Sequence, residues 1–139
     1  MLNPIKIRNS TSYELPLVMG ISAGFPSPAA DYLESSIDLN KELIRNPSST
    51  FFGRVKGLSM KDAGIAEDDI LIIDKSIIPH SGMIAVCFLD GEFTLKRIYI
   101  ENNSVTLQPA NSEFRPITVN EQNDFTIWGI VTYVIKKMK

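Results

Sequence analysis

The chain has 139 residues, 44% hydrophobic and 22% charged, which is enough for one globular domain with a real core plus a short extra segment. With 14 basic against 16 acidic residues the net charge is -2, and no basic run exceeds Lys136-Lys137, which argues against direct nucleic-acid binding. One cysteine, Cys87, excludes an intrachain disulfide and, with the single His80, leaves too few ligands for a Cys/His zinc site; no metal or cofactor is expected, and a reducing compartment suits the chain.

Near the N-terminus Lys6 and Arg8 precede an apolar stretch, Leu15 to Ile21, that ends in Ser22-Ala23 and superficially suggests a signal peptide. The stretch is short, follows Glu14 and is interrupted by Pro16, and no other run approaches the ~18 apolar residues of a membrane span. A cytoplasmic protein without a membrane segment is expected. Pro4, Pro16, Pro26 and Pro28 with Gly20 and Gly24 forbid a long helix over residues 1 to 30 and suggest an extended surface arm.

The spacing predicts a helix over Ile37 to Arg45, with Asp38 as N-cap, Leu39, Leu43 and Ile44 on one face, and Pro47 as a stop. Everything later reads as mainly β. After Val55 and the Gly57-Leu58-Ser59-Met60 turn comes a short turn or helix through Ala63, then a buried strand, Asp69 to Asp74. Met83 to Leu89, Asp90-Gly91 and Glu92 to Ile100 form the clearest signal, a hairpin closed by a two-residue type I′ turn. Ser104 to Gln108 and Phe125 to Ile135 complete the strands, with a polar loop at Asn120 to Asp124. The expected fold is therefore a curved antiparallel β domain with one short helix. Trp128, Ile130 and Val134 on the last strand suit a dimer interface or the core, with about half of them assigned to the core.

Ser59 follows Gly57 and Leu58, where a tight turn would point its hydroxyl outward and leave backbone N–H groups for an oxyanion. On spacing alone an ordinary turn serine is the commoner reading. Counting back from the Asp90-Gly91 turn pairs Leu89 with Glu92 and Lys96 with Ala85, a small partner that leaves room for the lysine. Period-2 alternation puts Lys96 on one face with Thr94, Ile98 and Ile100, and Arg97 on the other with Leu95 and Tyr99. If buried, Lys96 loses its charge more readily, as a base for a serine must; the plainer reading is a stem lying over apolar surface with its amine in water. His80 lies in a loop, Pro79-His80-Ser81-Gly82, and reads as solvated; Cys87 reads as a small buried hydrophobe; and Asp68-Asp69 reads as a solvated turn.

Gly24-Phe25-Pro26-Ser27-Pro28-Ala29-Ala30-Asp31-Tyr32 resembles the region just after the cleavage site of UmuD proteins. Gly57-Leu58-Ser59-Met60 resembles the nucleophile motif shared by that group and the LexA repressors, Asp69 to Asp74 the strand after it, and Asp90 to Lys96 the base-bearing hairpin. The resemblance to the LexA/UmuD self-cleaving serine-lysine peptidases runs from Gly24 nearly to the C-terminus. It implies that Ser59 attacks the Ala23 carbonyl, that Lys96 is the base, that N–H groups around Leu58 and Ser59 form the oxyanion hole, and that the Ala23-Gly24 bond is cut. Residues 1-23 would be the arm removed, and 24-139 the peptidase and interaction domain. Two departures stand out: where UmuD relatives often have Ser-Gly-Asp-Ser-Met, this chain has Lys56-Gly57-Leu58-Ser59-Met60, and Leu58 and the Ala-Gly pair are closer to LexA.

Only 23 residues precede Gly24, too few for the helix-turn-helix domain of a repressor. The UmuD resemblance implies an SOS mutagenesis protein that cleaves itself when stimulated by RecA filaments on single-stranded DNA, its trimmed homodimer joining a UmuC-type error-prone DNA polymerase. The alternatives are a polymerase-binding module without catalysis, and a LexA-like fragment lacking its DNA-binding domain.

Overall fold

The computed structural model describes residues 13–18, 20, 21, 24, 34–57 and 60–139. The chain divides into two units, Met1–Ile44 and Arg45–Lys139.

In the first unit Pro16 and the apolar run around it give a short extended strand, β1 (Leu15–Val18), paired antiparallel with β2 (Glu34–Ile37) from Leu15 opposite Ile37 to Val18 opposite Glu34. Ala23 and Gly24 therefore lie in the stretch of chain that connects two paired strands. The expected helix is present as a single turn, α1 (Leu39–Leu43). Asp38 caps it, its carboxylate accepting from Asn40 N–H at 3.0 Å. The turn is shorter than the Ile37 to Arg45 of the sequence reading because Ile44 leaves helical dihedrals and buries no face that would extend it; Leu39 is 59% exposed.

The second unit is an antiparallel sheet of seven strands among the described residues, in the order β3-β4-β9-β5-β6-β7-β8. These are β3 (Thr50–Arg54), β4 (Ile70–Asp74), β5 (Ile84–Leu89), β6 (Glu92–Glu101), β7 (Ser104–Gln108), β8 (Ile117–Val119) and β9 (Phe125–Ile135). The mainly β antiparallel fold is as the sequence predicts, with β3 and β8 added. Asp90 and Gly91 both have positive φ, as the type I′ turn requires, and the register sets Leu89 opposite Glu92 and Lys96 opposite Ala85.

Because β9 pairs with β4 on one side and β5 on the other, its eleven residues tie the two halves of the sheet together. Each pairing contains one bulge, which bends the sheet at its centre. Two apolar clusters form: Val55, Met60, Ile65, Leu71 and Ile73 in one, and Ala85, Cys87, Ile98, Leu107 and Ile130 in the other. Of the last-strand residues assigned partly to the core, Ile130 is buried, Trp128 half-buried and Val134 exposed.

Close approach at the centre is set by glycine. A Cβ on Gly129 would stand 2.5 Å from Ile73 Cγ2, and one on Gly53 would stand 3.0 Å from Ile73 Cδ1, so Ile73 is packed between two strands that lack side chains there.

The sequence reading of Asp68-Asp69 as a solvated turn is corrected in half. Asp68 is exposed at φ 72, but Asp69 is buried, with Ala66 N–H (2.9 Å) and Lys136 Nζ (2.5 Å) donating to its carboxylate. Its acid is held below the ordinary carboxylate value, first by the Ala66 bond and then by Lys136. Lys136 lies far along the chain, so local pattern gives no hint of it.

Candidate active site

Leu58, Ser59 and Ala23 lie outside the described residues. The chain on either side of positions 58 and 59 is tied down. Before them, Val55 N–H donates to Asp69 O and Val55 O accepts from Asp68 N–H, each at 2.9 Å, and Gly57 turns the chain at φ 90. After them, Met60 is 2% exposed; its carbonyl accepts from Ala63 and Ile65, and its sulfur accepts from Ala110 N–H at 3.4 Å. Asp62 N–H closes the link by donating to Ala110 O at 2.6 Å. A 3₁₀ turn, Lys61–Ala63, follows, as the expected short turn through Ala63. The motif thus leaves the sheet from one anchored residue and re-enters the core at another.

Lys96 is where the hairpin register puts it, on β6 opposite Ala85 and sharing a face with the buried Ile98. Its side chain is 8% exposed, so the buried alternative holds rather than the solvated one. Nζ donates to Thr94 Oγ1 at 2.7 Å and to Leu95 O at 3.2 Å. No carboxylate pairs with it among the described residues. Burial lowers its pKa from the ordinary value, because the charged form is the one that loses hydration; the charge of an ionised Cys87 would act in the opposite sense.

Thr94 is a site residue that the sequence reading does not single out, although alternation already places it on the Lys96 face. Its β5 partner is Cys87, fully buried, whose thiol is pushed up to about 11 by the same burial and is therefore neutral at ordinary pH. A neutral amine has two N–H bonds and one lone pair; Thr94 Oγ1 and Leu95 O are acceptors for both, which leaves the lone pair free to take a proton.

His80 is exposed in its loop, Cys87 is a packed strand residue, and Gly24 is exposed at a bend. Lys56 is exposed on the segment leading to Gly57. Among the described residues no group of three or more His, Cys, Asp or Glu is placed to hold a metal ion, and no helix is long and apolar enough to cross a membrane.

The sequence profile of the family described as Peptidase S24-like matches residues 16–132. The chain is 41% identical over 131 residues to Protein ImpA of Salmonella typhimurium, covering 92% of this chain and 88% of that protein. It is 42% identical over 117 residues to Protein SamA of Salmonella typhimurium strain LT2, covering 84% and 81%. With Protein MucA of Escherichia coli it shares 40% over 114 residues, covering 81% and 77%.

Proposed function

The chain belongs to the Peptidase S24-like family, and on that premise we propose that it is a self-cleaving serine endopeptidase that cuts its own Ala23-Gly24 bond with Ser59 as nucleophile and Lys96 as base. The observation that carries this reading is the buried Lys96 amine, unpaired with any carboxylate among the described residues and held by two oxygen acceptors on a rigid hairpin. A lysine in water would be charged and useless as a base near neutral pH; burial is what makes it a proton acceptor.

In the proposed reaction the lone pair of Lys96 takes the Ser59 hydroxyl proton as Oγ adds to the Ala23 carbonyl carbon. Backbone N–H groups around Leu58 and Ser59 receive the oxyanion. Collapse breaks the bond to Gly24 nitrogen, and the Lys96 ammonium returns its proton to that leaving amine. A water molecule, deprotonated by the again neutral Lys96, hydrolyses the Ala23 ester and frees Ser59. Ala23 and Gly24 are small enough to let the bond approach closely.

The biological role proposed is SOS mutagenesis. RecA filaments on single-stranded DNA would stimulate the cut, and residues 24-139, as a homodimer in the bacterial cytoplasm, would serve as accessory subunit of a UmuC-type translesion polymerase. What supports this is the resemblance of Gly24 to Tyr32 and of Asp90 to Lys96 to UmuD proteins, together with 41% identity to ImpA across most of both chains.

A second reading is favoured by one observation, Leu58 and Lys56 standing where UmuD relatives carry an acid and a hydroxyl. On it the chain binds a polymerase without cutting itself. Intact mass of the purified protein held near pH 10, with and without Ser59→Ala, decides between them. A new mass beginning at Gly24 in the unaltered protein alone supports the peptidase; an uncut chain, still uncut with RecA filaments, leaves the binding module.

A further inference from the structure

Val55 and Asp69 close the base of the loop that carries Ser59. Val55 N–H donates to Asp69 O and Asp68 N–H donates to Val55 O, each at 2.9 Å. Asp69 also holds the returning limb of that loop. Its own N–H donates to Ala66 O at 3.2 Å, and its carboxylate accepts from Ala66 N–H at 2.9 Å. One residue thus fixes both limbs, and its side chain is 6% exposed.

A buried carboxylate needs a cation as well as this N–H, because one backbone donor does not replace the hydration it has given up. Lys136 is that cation. The pairing of β9 with β4 sets Ile135 opposite Ile70, so the residue that follows β9 comes alongside Asp69. Its Nζ donates at 2.5 Å to the same carboxylate oxygen that takes the Ala66 bond. The Lys136 side chain is 40% exposed, so it fills no core space and acts on Asp69 through its charge. Lys96 takes no part in this clamp, since its acceptors, Thr94 and Leu95, both lie on β6.

We infer that Lys136, acting through Asp69, is a positioning residue for self-cleavage: it fixes the base of the Ser59 loop, so that the serine is presented to Lys96 from a rigid frame. The inference rests on the proposed peptidase reading. Without Lys136 the buried Asp69 carboxylate turns toward water, the Ala66 bond goes with it, and the two limbs of the loop part. A displacement on the order of 1 Å at the nucleophile is enough to slow a reaction by ten-fold or more. The end of the last strand, far from Ser59 in sequence, then sets how well the nucleophile works.

Two rates are read near pH 9, below the ordinary lysine value. One is the appearance of the fragment beginning at Gly24. The other is phosphonylation of Ser59 by a small fluorophosphonate, in which the serine oxygen bonds to phosphorus, fluoride leaves and Lys96 takes the proton. Each variant is assayed well below its melting temperature, where the folded fraction is the same and a stabilising part alone would move neither rate. Lys136→Met, which keeps the stem and loses the charge, is expected to lower both about ten-fold. Lys136→Arg should recover most of that loss. Asp69→Asn keeps an acceptor for Ala66 N–H and should also cost about ten-fold, and the double variant no more than either single, because both break one link. Unchanged rates in Lys136→Met, no recovery with arginine, or additive losses in the double variant each overturns the inference. An unaltered chain that neither cuts itself nor is phosphonylated overturns the peptidase reading, and the inference with it.

Discussion

Lys96 and Thr94 stand two residues apart on the same face of β6, and the Thr94 hydroxyl accepts from Lys96 Nζ at 2.7 Å. The threonine is β-branched and stiff at χ1, so it holds the amine in one direction at little entropic cost. As an acceptor it also favours the charged amine, against the larger effect of burial.

Thr94→Val therefore has two expected effects on self-cleavage. Loss of the acceptor moves the rate midpoint to lower pH, while loss of positioning lowers the maximal rate by about ten-fold, or about 1.4 kcal/mol in the barrier. Thr94→Ser should restore both. Rates of appearance of the fragment beginning at Gly24, measured across pH, check this; a rate loss with an unmoved midpoint would assign Thr94 a structural part alone.

The Lys96 amine itself fixes the direction of the pH dependence. Its folded pKa lies below the ordinary value, so the neutral base accumulates as pH rises through that lowered value, and the cleavage rate should climb and then level off below pH 10.5. Between the lowered value and 10.5 the unfolded chain binds more protons than the folded one, so this group makes stability rise with pH in that window. Lys96→Met should remove the rate and the rise in stability together, as read by fragment mass and by denaturant midpoint.

At the far end of β4, Asp74 is buried and gathers bonds from Asn46 Nδ2 (2.9 Å), Ser49 Oγ (3.0 Å), and Ser76 Oγ (2.6 Å) and N–H (2.8 Å). These bonds, Asn46 foremost, hold its acid down at about 2. Asp74→Ala should cost about 2 kcal/mol and lower the melting temperature by about 6 °C. Because the folded pKa is depressed, the contribution is full above about pH 4 and is lost as pH falls toward 2. Acid unfolding of the Ala variant should therefore show a shallower pH slope in that range.

Ile73 distinguishes its two glycine neighbours. Gly129→Ala meets Ile73 Cγ2 at 2.5 Å and should cost about 2 kcal/mol, whereas Gly53→Ala meets the flexible Cδ1 at 3.0 Å and should cost less than about 1 kcal/mol. Ile73→Val removes Cδ1 and keeps Cγ2. It should relieve Gly53→Ala and leave Gly129→Ala unrelieved, which a double-mutant cycle of denaturant midpoints measures.

Local chemistry makes part of this legible in the sequence. Asp90-Gly91 specifies the turn, the turn specifies the register, and the register alone places Lys96 opposite Ala85. β3 is hidden because Gly53 breaks its apolar pattern and its partner lies beyond the intervening loop; β8 has three residues and follows Pro116. The burial of Asp69 is equally hidden, since its partner, Lys136, is brought near only by the pairing of β4 with β9. Ser59 and the Ala23-Gly24 bond rest on family likeness, because a serine after a glycine in a turn has no distinguishing pattern of its own.

The pairing of β1 with β2 gives the proposed cut a thermodynamic direction. While the chain is whole, the two strands are tethered through residues 19–33 and meet at the high effective concentration of an intramolecular pair. Hydrolysis between Ala23 and Gly24 removes the tether, and a four-residue strand facing a four-residue strand is too small to hold by its own bonds at cellular dilution. The released peptide leaves by mass action, taking β1 with it and uncovering β2. On the proposed reading the reaction would then not run backwards, and the cut would become a lasting change in which backbone edge the protein shows.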